Sequence, residues 1–381
     1  MTIFVDVSAA VHGKAGLSRY SASLARALAP LLGERLGLFQ NSLGRRGPLE
    51  GVPHARVVGV PYGYRPWRAM VLARQALGWP YRSLLPKAEL FHATEHLLPP
   101  LGEIPTVLTV HDLIFEHLPQ YHKRANHAYL RAAMPLFCRR ANAIIAISES
   151  TRADLMALYG IPEERIHVIP EAAAQGMAPQ SPETVAAVKA RYRLPDRYVL
   201  AVGTIEPRKN LSRLIDACGP LIEQKMIDGL VLVGSRGWLV ESFDAHLAGS
   251  PWRQQVCLPG FVADADLPAV YSGAVLTAQP SLYEGFGLPV LEAMACGSPV
   301  CSSGVSSLPE VGGPAARYFD PTDVDEMRHV LGTVATDEGL RQEMRLAGLA
   351  QAARFSWERT ACETLALYEQ VIAEHSRSPV R

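Results

Sequence analysis

Two carboxylates stand eight residues apart in Tyr283-Glu284-Gly285-Phe286-Gly287-Leu288-Pro289-Val290-Leu291-Glu292, around an aromatic residue bracketed by glycines. Glu284 falls in the loop after an apolar run from Gly273 to Pro280, and Glu292 falls inside a helix that opens near Leu288. A helix start aims unpaired N–H groups and the positive end of its dipole at the loop, so an anion is the expected guest. Glu284 then reaches one side of that guest, and Glu292 reaches a neutral polyol. A phosphate flanked by hydroxyl-binding carboxylates suggests a sugar nucleotide.

Val202-Gly203-Thr204-Ile205-Glu206-Pro207-Arg208-Lys209-Asn210-Leu211 is a second basic signal. A strand ends at Gly203, Pro207 turns the chain, and Arg208 and Lys209 stand just before a helix. A guanidinium fork, a point charge and a helix start at one strand end suit a diphosphate. Taken blandly, the two cations are a solvated pair, but the dipole disfavours cations there unless an anion compensates.

Thr109-Val110-His111-Asp112 closes a strand, and strand ends facing a cleft are where open sheets keep working residues. A lone His is more often a structural hydrogen-bonder than a catalyst, and it is the position at the strand end that favours function. Nearby His92, His96, His117, His122 and His127 form no i, i+4 metal pair with a carboxylate. Gly13-Lys14-Ala15-Gly16-Leu17-Ser18-Arg19-Tyr20 reads as a glycine-bearing turn between the first strand and the first helix, where backbone can approach a ligand. It is not G-x-G-x-x-G, so a dinucleotide site is poorly supported. Asp264-Ala265-Asp266 has the D-x-D form of some metal sites. Standing directly before Leu267-Pro268-Ala269, it reads as helix capping, as does Asp320-Pro321-Thr322-Asp323, and no metal is expected.

The elements that must hold these residues alternate between strand and helix. Ile3–Val7, Leu36–Gln40, Ala55–Val60, Leu90–Ala93, Thr106–Val110 and Ala143–Ile147 read as strands of a first sheet, with helices such as Leu17–Leu32 and Asn126–Arg140 between them. The pattern restarts after a polar stretch around Ala174–Pro182. Tyr198–Gly203, Gly229–Gly234, Gln255–Pro259, Ala274–Gln279 and Ser298–Ser302 form a second sheet. Helices near Leu211–Gln224, Leu267–Tyr271, Leu288–Ala295, Val324–Ala335 and Gly339–Arg354 accompany it. The α/β pattern predicts two Rossmann-like doubly wound domains facing across a cleft, residues 1–175 and 176–356, with the last helix, about 357–381, packing back on the first.

At 381 residues the chain exceeds one ordinary core, and 48% hydrophobic with 19% charged residues is a globular composition. Its net charge is zero, but residues 1–175 hold 19 Lys/Arg against 13 Asp/Glu, and residues 176–381 hold 18 against 24. The basic half is either ordinary fluctuation or a face for an anionic surface or acceptor. Six cysteines without C-x-x-C spacing read as buried thiols of a reducing compartment. With no signal-peptide pattern and no bilayer-length apolar run, a cytoplasmic location is expected. Arg65-Pro66-Trp67-Arg68 through Arg74, with Trp79-Pro80-Tyr81-Arg82, reads as an amphipathic helix with a cationic outer face, or as a contact with an anionic inner-membrane surface.

Glu284 to Glu292 with the intervening Gly-Phe-Gly-Leu-Pro, the Gly203 to Asn210 turn and His111-Asp112 together resemble the retaining glycosyltransferases of family 4, which have the GT-B fold. Pro259-Gly260-Phe261-Val262 and Phe355-Ser356-Trp357-Glu358 extend the resemblance over nearly the whole chain. It implies that Arg208 and Lys209 hold the donor's diphosphate and stabilise the leaving group without metal or other cofactor. Glu284 would sit by the donor sugar, with His111 near its reacting face. The backbone of Phe286, Gly287 and Leu288 would meet hydroxyls or phosphate, Glu292 the ribose, Val262 the base through its backbone, and Gly16 the diphosphate. Two stretches depart from the family's pattern. Gly16-Leu17-Ser18-Arg19-Tyr20 has Ser18 where a glycine is frequent, and Val168-Ile169-Pro170-Glu171-Ala172 stands where many members read Val-Ile-Pro-Asn-Gly.

The resemblance further implies transfer of a hexose, best mannose or 6-deoxymannose from a GDP-sugar, to a glycan or lipid-linked glycan of a bacterial surface polysaccharide such as O-antigen or lipopolysaccharide. A UDP- or dTDP-sugar donor is the alternative. So is a non-transferase on the same scaffold, such as a phosphorylase, an epimerase or a sugar-nucleotide sensor. No nucleic-acid partner is expected.

Overall fold

A computed structural model describes residues 2–13, 15–42 and 49–377. The chain divides into one unit of Met1–His117, Arg124–Ala172 and Ser356–Arg381 and another of Leu118–Lys123 and Ala173–Phe355.

In the first unit, the described residues form strands β1 (Thr2–Asp6), β2 (Leu36–Asn41), β3 (Arg56–Val60), β4 (Ala88–Ala93), β5 (Thr106–Val110), β6 (Ala143–Ala146) and β7 (Ile166–Val168). They lie in the order β3-β2-β1-β4-β5-β6-β7, all parallel. The second unit holds β8 (Tyr198–Val202), β9 (Gly229–Val233), β10 (Val256–Gly260), β11 (Leu276–Gln279), β12 (Val300–Ser303) and β13 (Ala316–Phe319). Their order is β10-β9-β8-β11-β12-β13, again all parallel. β5 and β9 are buried at every residue, which is why they read as continuous apolar runs and not as alternation. Each sheet reverses its strand order once, between β1 and β4 and between β8 and β11. Ligands of open α/β sheets bind outside the strands' carboxyl ends at such a point.

Phe4, Phe39, Phe91, Trp67 and Phe137 centre the first core, and Leu214, Leu230, Leu276 and Leu331 the second. Each such side chain contributes about 1.5–3 kcal/mol by leaving water. The last helix, Trp357–Arg377, belongs to the first unit: the Thr360 hydroxyl donates to the Pro170 carbonyl at 2.8 Å, and Tyr368 meets His92 Nδ1 at 2.5 Å.

Several expectations need correction. The strands Ile166–Val168 and Ala316–Phe319 are three and four residues long, too short to show a period. A short helix, Ser8–His12, follows β1 and ends on Gly13 at φ 65°. The next helix starts at Ala15, so Gly16 lies in its first turn and not in a loop; Lys14 of the same motif lies outside the described residues. Leu118–Lys123 joins the second unit, where Trp238 Nε1 donates to the Tyr121 carbonyl at 2.6 Å. Cys362 is exposed, whereas Cys138, Cys218, Cys296 and Cys301 are buried.

The Tyr64–Leu77 helix does not turn all its cations outward. The Arg68 guanidinium lies 3.7 Å from the centre of the Tyr129 ring and donates to Asn126, while Arg74 donates to the Trp79 and Pro80 carbonyls and covers Tyr81. Arg65 and Arg82 are exposed. No helix among the described residues is long and apolar enough to cross a membrane.

Candidate functional site

The carboxyl ends of β8 and β11 bring Arg208, Lys209 and Glu284 together. β8 runs out at Val202, and a chain reversal leads to a short 3-10 turn, Pro207–Lys209. Asn210 follows in the left-handed region at φ 57° and opens the Leu211–Glu223 helix. Its amide donates to the carbonyls of Pro280 and Pro321, at 3.0 and 2.7 Å. The Arg208 carbonyl accepts from Leu282 N, so the loops after β8 and β11 are tied to each other through backbone as well as charge. The turn is backed by Gly234, at φ 151°, where a Cβ would stand 2.0 Å from the Gly203 carbonyl oxygen.

Glu284 is the hub. Its Oε1 accepts from Lys209 Nζ at 2.5 Å, Gln279 Nε2 at 2.8 Å and the Ser281 hydroxyl at 2.6 Å. Its Oε2 accepts from Arg208 Nη1 at 2.6 Å. Burial alone would raise the carboxyl's pKa, but the charges of Arg208 and Lys209 and the bonds from Lys209 and Ser281 outweigh it, holding the group at about 2. Burial and the neighbouring Arg208 pull the Lys209 ammonium below the usual lysine value, against the attraction of Glu284. A third carboxylate, Glu206, accepts from Arg208 Nη2 at 2.5 Å. Ser307 donates to the carbonyls of Glu284 and Phe286, and Ser306 accepts from Glu284 N, which braces the loop from behind. Lys209 has spent one of its three N–H bonds on Glu284.

Glu292 stands apart from this cluster. It is buried in the Leu288–Ala295 helix and accepts from the Tyr271 hydroxyl at 2.9 Å. Gly287 opens that helix at φ 112°, where a Cβ would meet Leu308 at 2.7 Å, so the glycine is required by both conformation and space. At the start of this helix Pro289 has no N–H and the Gly287 carbonyl accepts from Val290 N and Leu291 N, which leaves the Leu288 N–H with no carbonyl of its own helix to meet. Phe286 is buried beside the Phe355 ring, and Val262 is buried in the loop after β10, next to a Phe261 that is 75% exposed. Asp266 is not a side-chain cap: its carboxylate accepts two bonds from Arg191 at 2.7 Å and one from the Tyr192 hydroxyl. Asp323 does cap, accepting from Asp325 N and Glu326 N. Among the described residues no group of three or more His, Cys, Asp or Glu has metal-holding geometry.

The first unit holds Gly16 and His111. His111 follows β5, its Nδ1 3.1 Å from Glu171 Oε1 and its Nε2 2.9 Å from the Thr94 carbonyl. The Tyr20 ring stands edge-on to it with centroids 4.7 Å apart. Behind lies a second buried histidine, His92, bonded to Tyr368 and to the Thr109 hydroxyl, which also meets the Tyr20 hydroxyl. Burial, and then the charge of His111, lower the His92 pKa to about 3, so that ring is neutral.

Glu206, Gln279, Ser281, Ser306, Ser307 and Tyr271 belong to these arrangements and were not singled out from sequence, and Glu171 stood out only as a departure from the family's pattern. The first Glu of the Gly203–Asn210 turn and the Ser beside Glu284 were legible as polar residues in the right loops. Nothing local marks Tyr271.

Comparison with known proteins bears on the whole chain. Residues 15–172 match the model "Glycosyltransferase Family 4", and residues 187–350 match "Glycosyl transferases group 1". O-antigen chain mannosyltransferase B of Escherichia coli is 33% identical over 370 residues, covering 93% of this chain and 96% of that one. The serotype-specific mannosyltransferase WbdA of Escherichia coli is 36% identical over 276 residues, 69% of this chain and 33% of the larger protein. In structure, the sucrose-phosphate synthase of Thermosynechococcus elongatus superposes with a TM-score of 0.79 at 20% identity, covering 98% of this chain and all of that one. That likeness shows the fold, GT-B.

Proposed function

As the chain belongs to glycosyltransferase family 4, we propose that it transfers mannose from GDP-mannose, with retention of anomeric configuration, to a glycan or lipid-linked glycan in O-antigen synthesis. The observation that carries the chemistry is the Arg208–Lys209–Glu284 cluster at the carboxyl ends of β8 and β11. The sugar rests on the mannosyltransferase that matches this chain almost from end to end.

The reaction breaks the bond between the anomeric carbon and the diphosphate oxygen and forms one to an acceptor hydroxyl. Negative charge builds on the leaving diphosphate. Arg208, Lys209 and the helix start at Leu288 are fixed donors placed for that charge, so they act as preorganised electrostatic catalysts. They supply the compensation a divalent ion gives elsewhere, and the reading therefore includes activity without metal.

Glu284 is ill suited to be the enzymic nucleophile. Its two oxygens already accept four bonds, and its depressed pKa makes it a poor base. A paired-carboxylate glycosidase needs one carboxyl free as acid and the other facing the sugar. Here the better account is same-face substitution, in which the acceptor's proton passes to the departing diphosphate. Glu292, held by Tyr271, binds the ribose, and the backbone at Val262 meets the base.

The test is to incubate the enzyme, with and without EDTA, with GDP-, UDP- and dTDP-sugars and a mannan or lipid-linked acceptor. GDP release that requires acceptor and yields an α-linked mannoside, unaffected by EDTA, is expected. Release without acceptor, preference for a UDP- or dTDP-sugar, or an inverted product would each overturn the corresponding part.

A further inference from the structure

We propose that Glu171 is a positioning residue that keeps His111 doubly protonated, so that His111 serves the transfer as a fixed positive charge and not as a proton acceptor. The inference rests on the reading that places His111 at the donor sugar.

The geometry counts the protons. The Thr94 carbonyl has no hydrogen to give, so Nε2 donates to it, at 2.9 Å. A carboxylate oxygen of Glu171 faces Nδ1 at 3.1 Å, and an ionised carboxylate only accepts, so Nδ1 donates as well. A ring that donates from both nitrogens is an imidazolium. It is buried, and its side chain and that of Glu171 are 8% and 5% exposed, so water does not supply a substitute partner.

The groups around the ring agree. From the Ala15–Leu32 helix comes the neutral Tyr20, edge-on at 4.7 Å, and from the segment after β4 comes the His96 ring at 6.2 Å. His92 on β4 is neutral, Asp112 adjoins on the same loop, and the Thr151 hydroxyl donates to the His111 carbonyl. Burial opposes the charge, but the bond and charge of Glu171, the Thr94 carbonyl and Asp112 together raise the His111 pKa above its ordinary value. Glu171 stands in Ile169-Pro170-Glu171-Ala172, directly after β7, where an Asn would leave the ring without a counter-charge.

Both nitrogens being committed, His111 has no lone pair with which to take a proton from the acceptor hydroxyl. What it offers is a desolvated positive charge whose strength is not diluted by water. Glu171 touches no substrate in this account and acts only through His111.

The experiment follows the His111 ring nitrogens by NMR in the full-length protein labelled with ¹⁵N-histidine. Signals are assigned by their loss in His111→Gln, and kcat/KM is measured from pH 6 to 8.5. In the wild type both nitrogens are expected to stay protonated throughout, with kcat/KM changing less than about twofold from this group. In Glu171→Gln burial is no longer offset by that bond and charge, so one proton should leave at or below the ordinary histidine pKa of about 6.5, and kcat/KM at about pH 7.5 should fall about tenfold or more relative to the wild type. Glu171→Asp should restore much of the wild-type profile, and the protonation of the wild-type ring tests the inference by itself should the Gln variant not fold. A singly protonated His111 at pH 7 in the wild type overturns the inference. So does an unchanged kcat/KM in a Gln variant whose ring has lost its proton. The NMR readout needs no donor, so a wrong choice of sugar nucleotide leaves it standing.

Discussion

The two units share one sheet topology around their switch points, yet their strand ends are furnished in opposite ways. Beyond β8 and β11, two cations converge on one carboxylate, and nearly every partner is charged or a hydroxyl. Beyond β4 and β5, one imidazole and one carboxylate sit among aromatic rings, with a neutral chain of His92, Thr109, Tyr20 and Tyr368 behind them. The scaffold places a site at the strand ends but leaves its chemistry to the turns. A turn reading Glu-Pro-Arg-Lys-Asn delivers two adjacent cations to one loop, whereas His111 and Glu171 come from loops 60 residues apart in sequence.

Perturbations should separate the two sites, beginning with the largest. Glu284→Ala removes a buried carboxylate, leaving the half-buried Lys209 without its counter-ion and Arg208 paired with Glu206, and is expected to cost about 3–5 kcal/mol in a denaturant titration. A loss below about 1 kcal/mol would mean that the cluster does not hold the second unit's loops together. On the proposed mechanism, Lys209→Ala removes a donor from the leaving group while Arg208, Ser281 and Gln279 still satisfy Glu284. We expect kcat to fall about 10²- to 10³-fold with a much smaller stability change, and an unchanged kcat would take Lys209 out of the mechanism. Tyr368→Phe in the first unit strips the partner from a fully buried His92 nitrogen, at a cost of about 1–3 kcal/mol by thermal unfolding, with kcat little altered. Smallest of all, Asp266→Ala breaks a pair with an exposed Arg191 and should change stability by about 0–1 kcal/mol.

Acid and base should also attack different units. Glu284 has its folded pKa depressed to about 2, so its contribution is present above the unfolded value near 4.5 and is lost as pH falls toward 2. His111 has its folded pKa raised, so its contribution is complete below the unfolded value of about 6.5 and is lost as pH rises through the folded one. Hydrogen exchange read peptide by peptide should show loops after β8 and β11 loosening first in acid, and those around His111 and Glu171 in base, once the pH passes the raised His111 pKa. The same order at both extremes would defeat the contrast.

How much of this was legible follows from distance along the chain. The alternating strands and helices, Arg208 beside Lys209, and Glu284 beside a helix start are all local patterns, and sequence displays them directly. The four-donor environment of Glu284 was partly hidden, because Gln279 and Ser281 carry their bonding only once β11 ends and the loop folds back. Tyr271 was invisible and Glu171 showed only as a departure from the family's pattern, since their partners lie 21 and 60 residues away along the chain. Asp266 misled for a related reason: a helix-start position predicts a cap, but Arg191 arrives from another helix and outbids the backbone. Gly16 misled because the reading had the first helix open at Leu17, whereas Gly13 ends a short helix and the next one begins at Ala15.

The return of the last helix to the first unit bears on how such enzymes are recombined. The chain leaves and re-enters that unit twice, once for Leu118–Lys123 and once for the whole of Ala173–Phe355. A second unit borrowed from a relative at a single junction would bring along a foreign final helix, and with it a foreign residue opposite His92. Swapping donor preference in this lineage, by gene conversion or at the bench, is therefore an insertion with two boundaries, and libraries built on one crossover will be rich in misfolded hybrids.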